Sequence, residues 1–172
     1  NKKTEPWNIT LVDTGEKSLT GDRIRLIKDY IGNKDFCLTY GDGLTSANIR
    51  ETIKFHKKHK KIATVLAVKP SGRFGSIDIK KNLVKTFLEK PKGDGGWING
   101  GFFVLNKKIF DFVLEQNCVW EKEPLEKIAK KKQLIAYKHN GFWYAMDTLR
   151  DKDYLEGLWN SNKASWKIWD EL

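Results

Sequence analysis

A carboxylate set between two glycines is the strongest chemical signal in this sequence. In Tyr40-Gly41-Asp42-Gly43 the carboxylate comes directly after a predicted buried strand. Ligands of open α/β sheets bind beyond the carboxyl ends of the strands. The glycines would let a ligand approach the backbone, and Asp42 offers the hard oxygen that Mg²⁺ takes. The same four residues also suit a tight turn, which favours Gly and Asp, so both interpretations stay open at this point.

A second carboxylate, Asp147, follows the aromatic segment Trp143-Tyr144-Ala145-Met146 and precedes Thr148. Asp147 could cap the helix that is predicted to begin there. It could instead join Asp42 in a two-carboxylate magnesium site. Mg²⁺ usually keeps several waters and binds through one or two carboxylates together with substrate phosphates. Two carboxylates are therefore enough for such a site.

An acid and a base stand side by side at Glu89-Lys90, just before Pro91. Adjacent side chains on a strand point to opposite faces, unless the strand breaks, as Pro91 would make it do. The pair could then bind a polyhydroxylated, phosphorylated ligand, with Lys90 as the charge for phosphate. A charged strand end would explain the same residues. The glycines of Asn99-Gly100-Gly101 and Gly72-Arg73-Phe74-Gly75 indicate places where a ligand or another backbone comes close.

The elements that must position these residues alternate in the first half of the chain. Strands are predicted at 9–12, 36–40 and 62–68, and helices at 20–31 and after Ser46. This alternation predicts parallel strands joined by crossover helices. In the second half, strands are predicted at 74–79, 83–88, 98–105, 134–138 and 142–145, and helices at 107–115, from Pro124, and at 150–159. We therefore predict one α/β domain over residues 1–172, with a mixed, mostly parallel, Rossmann-like sheet flanked by helices.

Composition excludes several classes of protein. With 40% hydrophobic and 12% aromatic residues, the chain is not intrinsically disordered. No apolar run reaches the roughly 18 residues of a membrane helix, and two cysteines cannot build a disulfide framework. We expect a protein of the reducing cytoplasm that does not bind a membrane. Because the only methionine is Met146, we also expect the chain to be a piece of a longer polypeptide.

The net charge of +10 comes mostly from lysine and is clustered at residues 57–61 and 130–132. A positive field attracts nucleic acids, and it also attracts phosphorylated small molecules. No basic stripe interleaved with aromatic residues occurs in the sequence. Solvated helix faces therefore explain the lysines better, and we expect no nucleic acid as a partner.

Taken together, these segments resemble the sugar nucleotidyltransferases, and among them the glucose-1-phosphate cytidylyltransferases. The resemblance covers essentially the whole chain and is strongest in the glycine-rich run after Glu89 and in Met146-Asp147-Thr148-Leu149-Arg150-Asp151. The other matching stretches are Val12-Asp13-Thr14-Gly15, Thr20-Gly21-Asp22-Arg23, Tyr40-Gly41-Asp42-Gly43, Gly72-Arg73-Phe74-Gly75, Trp120-Glu121-Lys122-Glu123-Pro124-Leu125 and Gly141-Phe142-Trp143.

The resemblance implies an Mg²⁺-dependent reaction of CTP with α-D-glucose 1-phosphate that gives CDP-glucose and diphosphate. The sugar phosphate oxygen would attack the α-phosphorus in line, without a covalent enzyme intermediate. Positioning and charge neutralisation would then supply most of the catalysis. Members of the family are cytoplasmic homo-oligomers that supply deoxysugars for surface polysaccharide.

The resemblance also implies roles for individual residues. Asp42, Lys90 and Asp147 would be catalytic, and Asp42 and Asp147 would hold Mg²⁺. Lys90 would bind the glucose phosphate and Glu89 the sugar hydroxyls. The sugar pocket would further be lined by Gly75, Asn99 and Gly101. The nucleotide would lie against Thr20, Gly21, Arg23, Gly41 and Asp42.

Two departures from the family pattern bear on activity. Asp22 stands where the family has a second glycine, so its charge either lies near the nucleotide or points outward. No segment matches the family's Gly-x-Gly-Thr-Arg loop, whose backbone N–H groups bind the triphosphate. We therefore expect the first strands of the family's sheet to be missing from this chain. We also expect little or no activity from the chain alone.

Two other functions fit parts of the sequence. A glycosyltransferase that consumes a nucleotide sugar would want an Asp-x-Asp metal motif. Asp151-Lys152-Asp153 has that spacing, although it follows a predicted helix start. A non-catalytic remnant that binds a sugar nucleotide would keep the binding residues and show no turnover.

Overall fold

The structure, a computed structural model, describes residues 6–69, 76–80, 83–88, 96–114 and 116–169. Residues 76–80 and 83–88 are described through their backbone alone. The helices are α1 (Thr20–Leu26), α2 (Lys28–Ile31), α3 (Ile49–His59), α4 (Glu123–Lys130) and α5 (Leu149–Asn160), with a 3₁₀ turn at Lys107–Asp111. The strands are β1 (Phe36–Thr39), β2 (Gly43–Thr45), β3 (Ala63–Val68), β4 (Ser76–Lys80), β5 (Leu83–Leu88), β6 (Ile98–Leu105), β7 (Leu134–His139) and β8 (Trp143–Ala145).

The main sheet has four strands in the order β1-β6-β3-β7. Strand β6 runs antiparallel to both of its neighbours, whereas β3 and β7 pair in parallel. Strands β1, β3 and β7 therefore point the same way, and their carboxyl ends lie at one edge of the sheet. The predicted mixed sheet is confirmed, and β6 is the strand that interrupts its parallel direction.

Each face of this sheet carries its own apolar cluster. One face packs against α1, α4 and the segment around Trp120, whose indole meets Phe103 edge to face at 5.5 Å between ring centroids. The other face is covered by α3, where Phe55 contacts Tyr137 of β7 in a T-shaped pair. Helices thus flank the sheet on both sides, as an α/β architecture requires because each face must be buried.

A separate two-stranded ribbon joins the chain segments that carry the two predicted metal carboxylates. Strands β2 and β8 pair antiparallel, with Gly43 opposite Ala145 and Thr45 opposite Trp143. The ribbon docks on the main sheet because the indole N–H of Trp143 donates to the carbonyl of Gly100 at 2.9 Å. Two segments far apart in the sequence are in this way fixed beside the carboxyl edge of β1.

Four sequence-based element predictions need correction. The helix predicted at 107–115 is a 3₁₀ turn that ends at Asp111. Residues 9–12 form no strand: Ile9 and Leu11 are 74% and 92% exposed, and no described strand pairs with them. The helix predicted at 20–31 is interrupted at Ile27, whose φ of −91° and ψ of 4° close α1 and open α2. Helix α3 begins after Asn48, whose side chain accepts the Glu51 N–H, and Ser46 instead bonds Phe142.

Among the described residues, no helix is both long and apolar enough to cross a membrane.

Candidate functional site

The end of β1 meets a bulge in β6 at the carboxyl edge of the sheet. The register between β3 and β6 shifts between Val65 and Ala67, so that Ala67 lies opposite Asn99. At the bulge Gly101 has a φ of +73°, and its carbonyl accepts the Tyr40 N–H at 2.9 Å. A Cβ on Gly101 would lie 2.8 Å from Cδ2 of Tyr40. The sequence prediction of a close approach at Gly101 is therefore explained by the protein's own Tyr40 ring.

Asp42 and Asp147 lie in the two chain segments that extend the open end of the β2–β8 ribbon. The carbonyl of Asp42 accepts the Met146 N–H at 2.9 Å, which continues the ribbon one step beyond Gly43 and Ala145. Both aspartates are exposed. No group of three or more His, Cys, Asp or Glu side chains suited to a metal occurs among the described residues. Two exposed carboxylates with no third protein ligand fit Mg²⁺, which completes its shell with water and phosphate.

Asp147 is not the N-cap of α5. Thr148 takes that position, and its hydroxyl accepts the Asp151 N–H while Asp151 binds the N–H of Thr148 at 2.9 Å. This reciprocal arrangement is a capping box. Of the two interpretations of Asp147 that the sequence left open, helix capping is thereby excluded.

Capping also occupies the carboxylate of the Asp-x-Asp motif. Asp151 accepts from Thr148 and from the Tyr144 hydroxyl, the latter at 3.0 Å. These contacts, led by the Thr148 hydroxyl, lower the pKa of Asp151. Asp151 and Asp153 lie within α5 and not at the end of a strand. The motif is therefore part of a helix start, and this weighs against a glycosyltransferase metal site.

Thr20, Gly21 and Arg23 lie on α1, and each makes an intramolecular contact. The Gly21 N–H donates to the Cys118 carbonyl at 2.9 Å, and a Cβ there would lie 2.6 Å from Cys118 Sγ. Arg23 is exposed and donates to the Thr14 hydroxyl. Gly21 thus serves close packing of α1, whereas the exposed Thr20 and Arg23 remain accessible to a ligand.

Asp22 points into the protein. It is 5% exposed and accepts the N–H groups of Leu19 at 3.1 Å and Cys118 at 3.4 Å. The first of these contacts satisfies a donor at the N-terminus of α1 that has no partner within the helix. The alternative of a charge directed outward is therefore wrong, because the carboxylate is taken up by backbone donors of the protein itself.

A chain of hydrogen bonds links α1 to the bulge of β6 through Glu121. The Asn99 amide donates to the Tyr40 hydroxyl at 3.3 Å, and that hydroxyl donates to Glu121 Oε1. On the other side, the Thr20 hydroxyl donates to Glu121 Oε2 at 2.8 Å. We call these four residues the Glu121 bridge. Burial first, and the bond to Glu121 second, raise the pKa of Tyr40, so its hydroxyl stays a proton donor.

Glu121 is a residue of the candidate site that the sequence analysis did not single out. Its stretch was recognised in the resemblance, but nothing in Trp120-Glu121 by itself indicates a site. Thr20 and Tyr40 lie 101 and 81 residues away from it in the sequence. The sequence offered only an indirect signal, an acidic residue between Trp120 and the helix start at Pro124. The structure shows that Trp120 is buried and so holds the backbone beside Glu121 in place.

Three predicted site residues, Gly75, Glu89 and Lys90, lie outside the described residues. Gly41 is described, and a Cβ at that position would have nothing within 4 Å. Two shallow grooves in the described part of the chain lie at the opposite, amino edge of the sheet, around Lys107 and Lys131. They contain none of the predicted site residues. The carboxyl edge, with Asp42, Asp147 and the Glu121 bridge, is therefore the candidate site.

Comparison with known proteins gives close relatives of this chain. The sequence model of the family described as nucleotidyl transferase matches residues 2–160. A glucose-1-phosphate cytidylyltransferase from Salmonella typhimurium (strain LT2) is 52% identical over 171 residues, which are 99% of this chain and 66% of that protein. A Bacillus subtilis protein named "probable glucose-1-phosphate cytidylyltransferase" is 42% identical over 166 residues, 96% of this chain and 65% of that protein. The chain thus spans slightly less than two thirds of the length of these relatives.

Solved structures support the same architecture. An apo UDP-glucose pyrophosphorylase superposes with a TM-score of 0.63 at 17% identity, covering 87% of this chain and 63% of that chain. A likeness at this level of identity establishes the fold alone. It confirms the prediction of a mixed sheet flanked by helices of the sugar nucleotidyltransferase type.

Proposed function

The chain belongs to the nucleotidyl transferase family, and from this premise we propose that the protein carrying it makes CDP-glucose and diphosphate from CTP and glucose 1-phosphate. One observation carries the proposal: the segments that hold Asp42 and Asp147 are joined at the open end of the β2–β8 ribbon by the bond from the Met146 N–H to the Asp42 carbonyl, near the edge where Tyr40 and Asn99 also converge. The identity of 52% to a glucose-1-phosphate cytidylyltransferase supports the choice of substrates.

In this proposal the two aspartates would hold Mg²⁺, which neutralises charge on the reacting phosphates when it is bound. Asn99 and Gly101 border the space for the sugar, and Thr20 and Arg23 border that for the nucleotide. The roles of Lys90 on the sugar phosphate and of Glu89 on the sugar hydroxyls belong to the same proposal. The phosphoryl transfer itself requires little chemistry from side chains, because fixing two anionic substrates in line accounts for much of the rate.

The net charge of +10 also favours anionic substrates. A positive field raises the local concentration of phosphorylated molecules and speeds their encounter with the protein. A cytoplasmic location and a homo-oligomeric state complete the proposal. These 172 residues contain no Gly-x-Gly-Thr-Arg sequence, so we propose that by themselves they turn over CTP slowly or not at all.

The decisive experiment measures diphosphate release and CDP-glucose formation by the native polypeptide that carries this chain. Asp42→Asn and Asp147→Asn should each lower kcat at least about 100-fold, since a preorganised electrostatic contact to a transferring phosphoryl group contributes about 10²–10³. Asp153→Asn removes a similarly exposed carboxylate from the helix α5 and should leave kcat unchanged.

Two results would count against the proposal. CDP-glucose binding without turnover by the native polypeptide would favour a non-catalytic remnant. Transfer of the sugar to an acceptor, with no diphosphate released, would favour a glycosyltransferase. An Asp42→Asn variant as active as the wild type would remove Asp42 from the metal site even if CDP-glucose were formed.

A further inference from the structure

The Glu121 bridge connects the two sides of the candidate site through one carboxylate. Thr20 lies on α1, where the nucleotide is proposed to bind, and Tyr40 with Asn99 lies where the sugar phosphate is proposed to bind. The side-chain hydrogen bonds of the bridge link α1 to the carboxyl edge of the sheet. The bridge is therefore a direct polar connection between the two proposed substrate regions.

The direction of each hydrogen bond makes Glu121 the acceptor at both ends. The Trp120 N–H donates to the Thr20 oxygen at 2.9 Å, so the Thr20 hydrogen is free to point at Glu121. The Gly101 N–H donates to Asn99 Oδ1 at 2.9 Å, which turns the Asn99 NH₂ group toward the Tyr40 oxygen. The Tyr40 hydroxyl hydrogen is then donated to the Glu121 carboxylate. A carboxylate accepts through both of its oxygens, and no neutral side chain does so.

The backbone beside Glu121 is held firmly. Trp120 is completely buried against Phe103, and its main chain is tied to Thr20. Glu121 itself is exposed, so its side chain is placed by its two hydrogen-bond partners and not by packing. Replacing it removes the connection while leaving the apolar core intact.

We propose that Glu121 is a positioning residue that fixes Tyr40 and Asn99 in register with Thr20, and so sets the spacing between the sugar phosphate and the nucleotide. This inference rests on the proposed function, because it assigns the two substrates to the two ends of the bridge. Glu121 acts through Tyr40 and Thr20 and does not itself touch the reacting atoms.

The test compares steady-state kinetics of the native polypeptide with those of three variants. Glu121→Ala should raise the KM of both substrates about tenfold, since a hydrogen bond to a charged group is worth roughly that factor. Tyr40→Phe should raise the KM of glucose 1-phosphate alone. The double variant should bind glucose 1-phosphate no worse than the poorer of the two single variants, because both substitutions break one connection.

A conservative replacement separates positioning from general support of the fold. Glu121→Gln has one acceptor oxygen, so it should restore the KM of one substrate and not of the other. Glu123→Ala is the matched control: Glu123 is exposed on the next turn, pairs with Lys127, and takes no part in the bridge. All variants should melt within about 2 °C of the Glu123→Ala control, as is usual for surface substitutions.

Each outcome decides a separate point. An active wild type with unchanged KM values in Glu121→Ala would overturn the inference and leave the proposed function standing. Additive effects in the double variant would mean that Glu121 contacts substrate directly, which also overturns it. A wild type that makes no CDP-glucose would refute the proposed function, and this inference with it.

Discussion

At the scale of single residues, Gly101 shows how one backbone conformation shapes the site. A φ of +73° is reached by few residues other than glycine, and the Tyr40 ring fills the space that a side chain would need. Any larger residue at this position must either shift Tyr40 or open the bulge in β6. Because Tyr40 belongs to the Glu121 bridge, a shift there reaches Glu121 as well.

We therefore expect Gly101→Ala to lower the free energy of unfolding by about 1–3 kcal/mol, the usual size of such backbone strain. It should also raise the KM for glucose 1-phosphate. Gly157→Ala is the matched control, because it lies inside α5 with nothing within 4 Å of its Cβ position. That substitution should stabilise the protein by about 0.5–1 kcal/mol. Urea unfolding of both variants measures the change in the free energy of unfolding. A change of the same sign in both variants would contradict the argument.

Asp22 gives a second prediction at this scale. Since its carboxylate accepts two backbone N–H groups while almost fully buried, Asp22→Ala should cost about 1–2 kcal/mol of stability. Asp22→Gly, which restores the family's usual glycine, should be at least as destabilising and should not improve CTP binding. The control is Asp29→Ala on the exposed face of α2, expected to change stability by less than about 0.5 kcal/mol. Isothermal titration with CTP and urea unfolding test both statements.

Four carboxylates show what could be predicted from the sequence and what could not. Asp42 and Asp147 were predicted to act together because each follows a strand, and ligands of such folds bind beyond the carboxyl ends of the strands. The role of Asp22 was not predictable, because its second partner, Cys118, lies 96 residues away in the sequence. Glu121 was missed for the same reason. A local pattern carries no information about which distant backbone group a buried carboxylate will meet.

At the scale of elements, some helix starts are determined by a local sequence pattern and others by tertiary contacts. The capping box of Thr148 and Asp151 is local and follows the usual pattern of residues at positions N-cap and N3. Helix α1, by contrast, starts at a leucine N-cap, and Asp22 supplies the acceptor. The helix is interrupted at Ile27 although no Gly or Pro stands there. The apolar periodicity therefore predicted one helix where two are found.

The capping box gives a prediction for α5. Thr148→Ala removes the acceptor for the Asp151 N–H and should lower stability by about 1 kcal/mol. Thr148→Ser keeps the hydroxyl and should be close to the wild type. Since Asp147 directly precedes the cap, the alanine variant should also weaken Mg²⁺-dependent activity more than the serine variant does. Equal stability of the two variants in urea would show that the cap contributes nothing.

Helix α3 and strand β3 share a buried histidine network. The Thr64 hydroxyl lies 2.8 Å from His56 Nδ1 and 2.7 Å from His59 Nε2. Because His59 Nδ1 accepts the Lys61 N–H, its Nε2 carries the proton that points at Thr64. Burial is the main cause that lowers the pKa of both histidines, opposed at His56 by the nearby Asp35.

Lowered histidine pKa values make stability depend on pH in one direction. Below the unfolded-state pKa of about 6.5 the unfolded chain binds protons that the folded protein resists, so stability falls as pH falls. The free energy of unfolding should therefore be constant above about pH 7.5 and lower at pH 5.5. His59→Gln removes one of the two groups and should reduce this fall. Urea titrations at the two pH values decide, and a fall of equal size in wild type and variant would contradict the assignment.

At the scale of the whole molecule, burial is concentrated in the centre of the sheet. In β3 all residues but Val65 are buried, and β6 is buried from Phe103 to Leu105. Both strands have partners on each side. The segment at 7–12 is the opposite case: Trp7, Ile9 and Leu11 are mostly exposed, and no backbone hydrogen bond joins the segment to another described residue.

This contrast predicts the pattern of amide hydrogen exchange. Amides of β3 and of the buried part of β6 should exchange slowest, because they open only when the sheet unfolds, whereas amides of residues 8–12 should exchange at nearly the rate of a free peptide. Mass spectrometry of these 172 residues measures both. The alternation of apolar and polar residues from Trp7 to Leu11 also suits a strand, and an apolar strand without a partner tends to pair with another chain. Protection of 8–12 that disappears on dilution would therefore identify pairing between copies, and protection independent of concentration would contradict the exposed conformation of this segment.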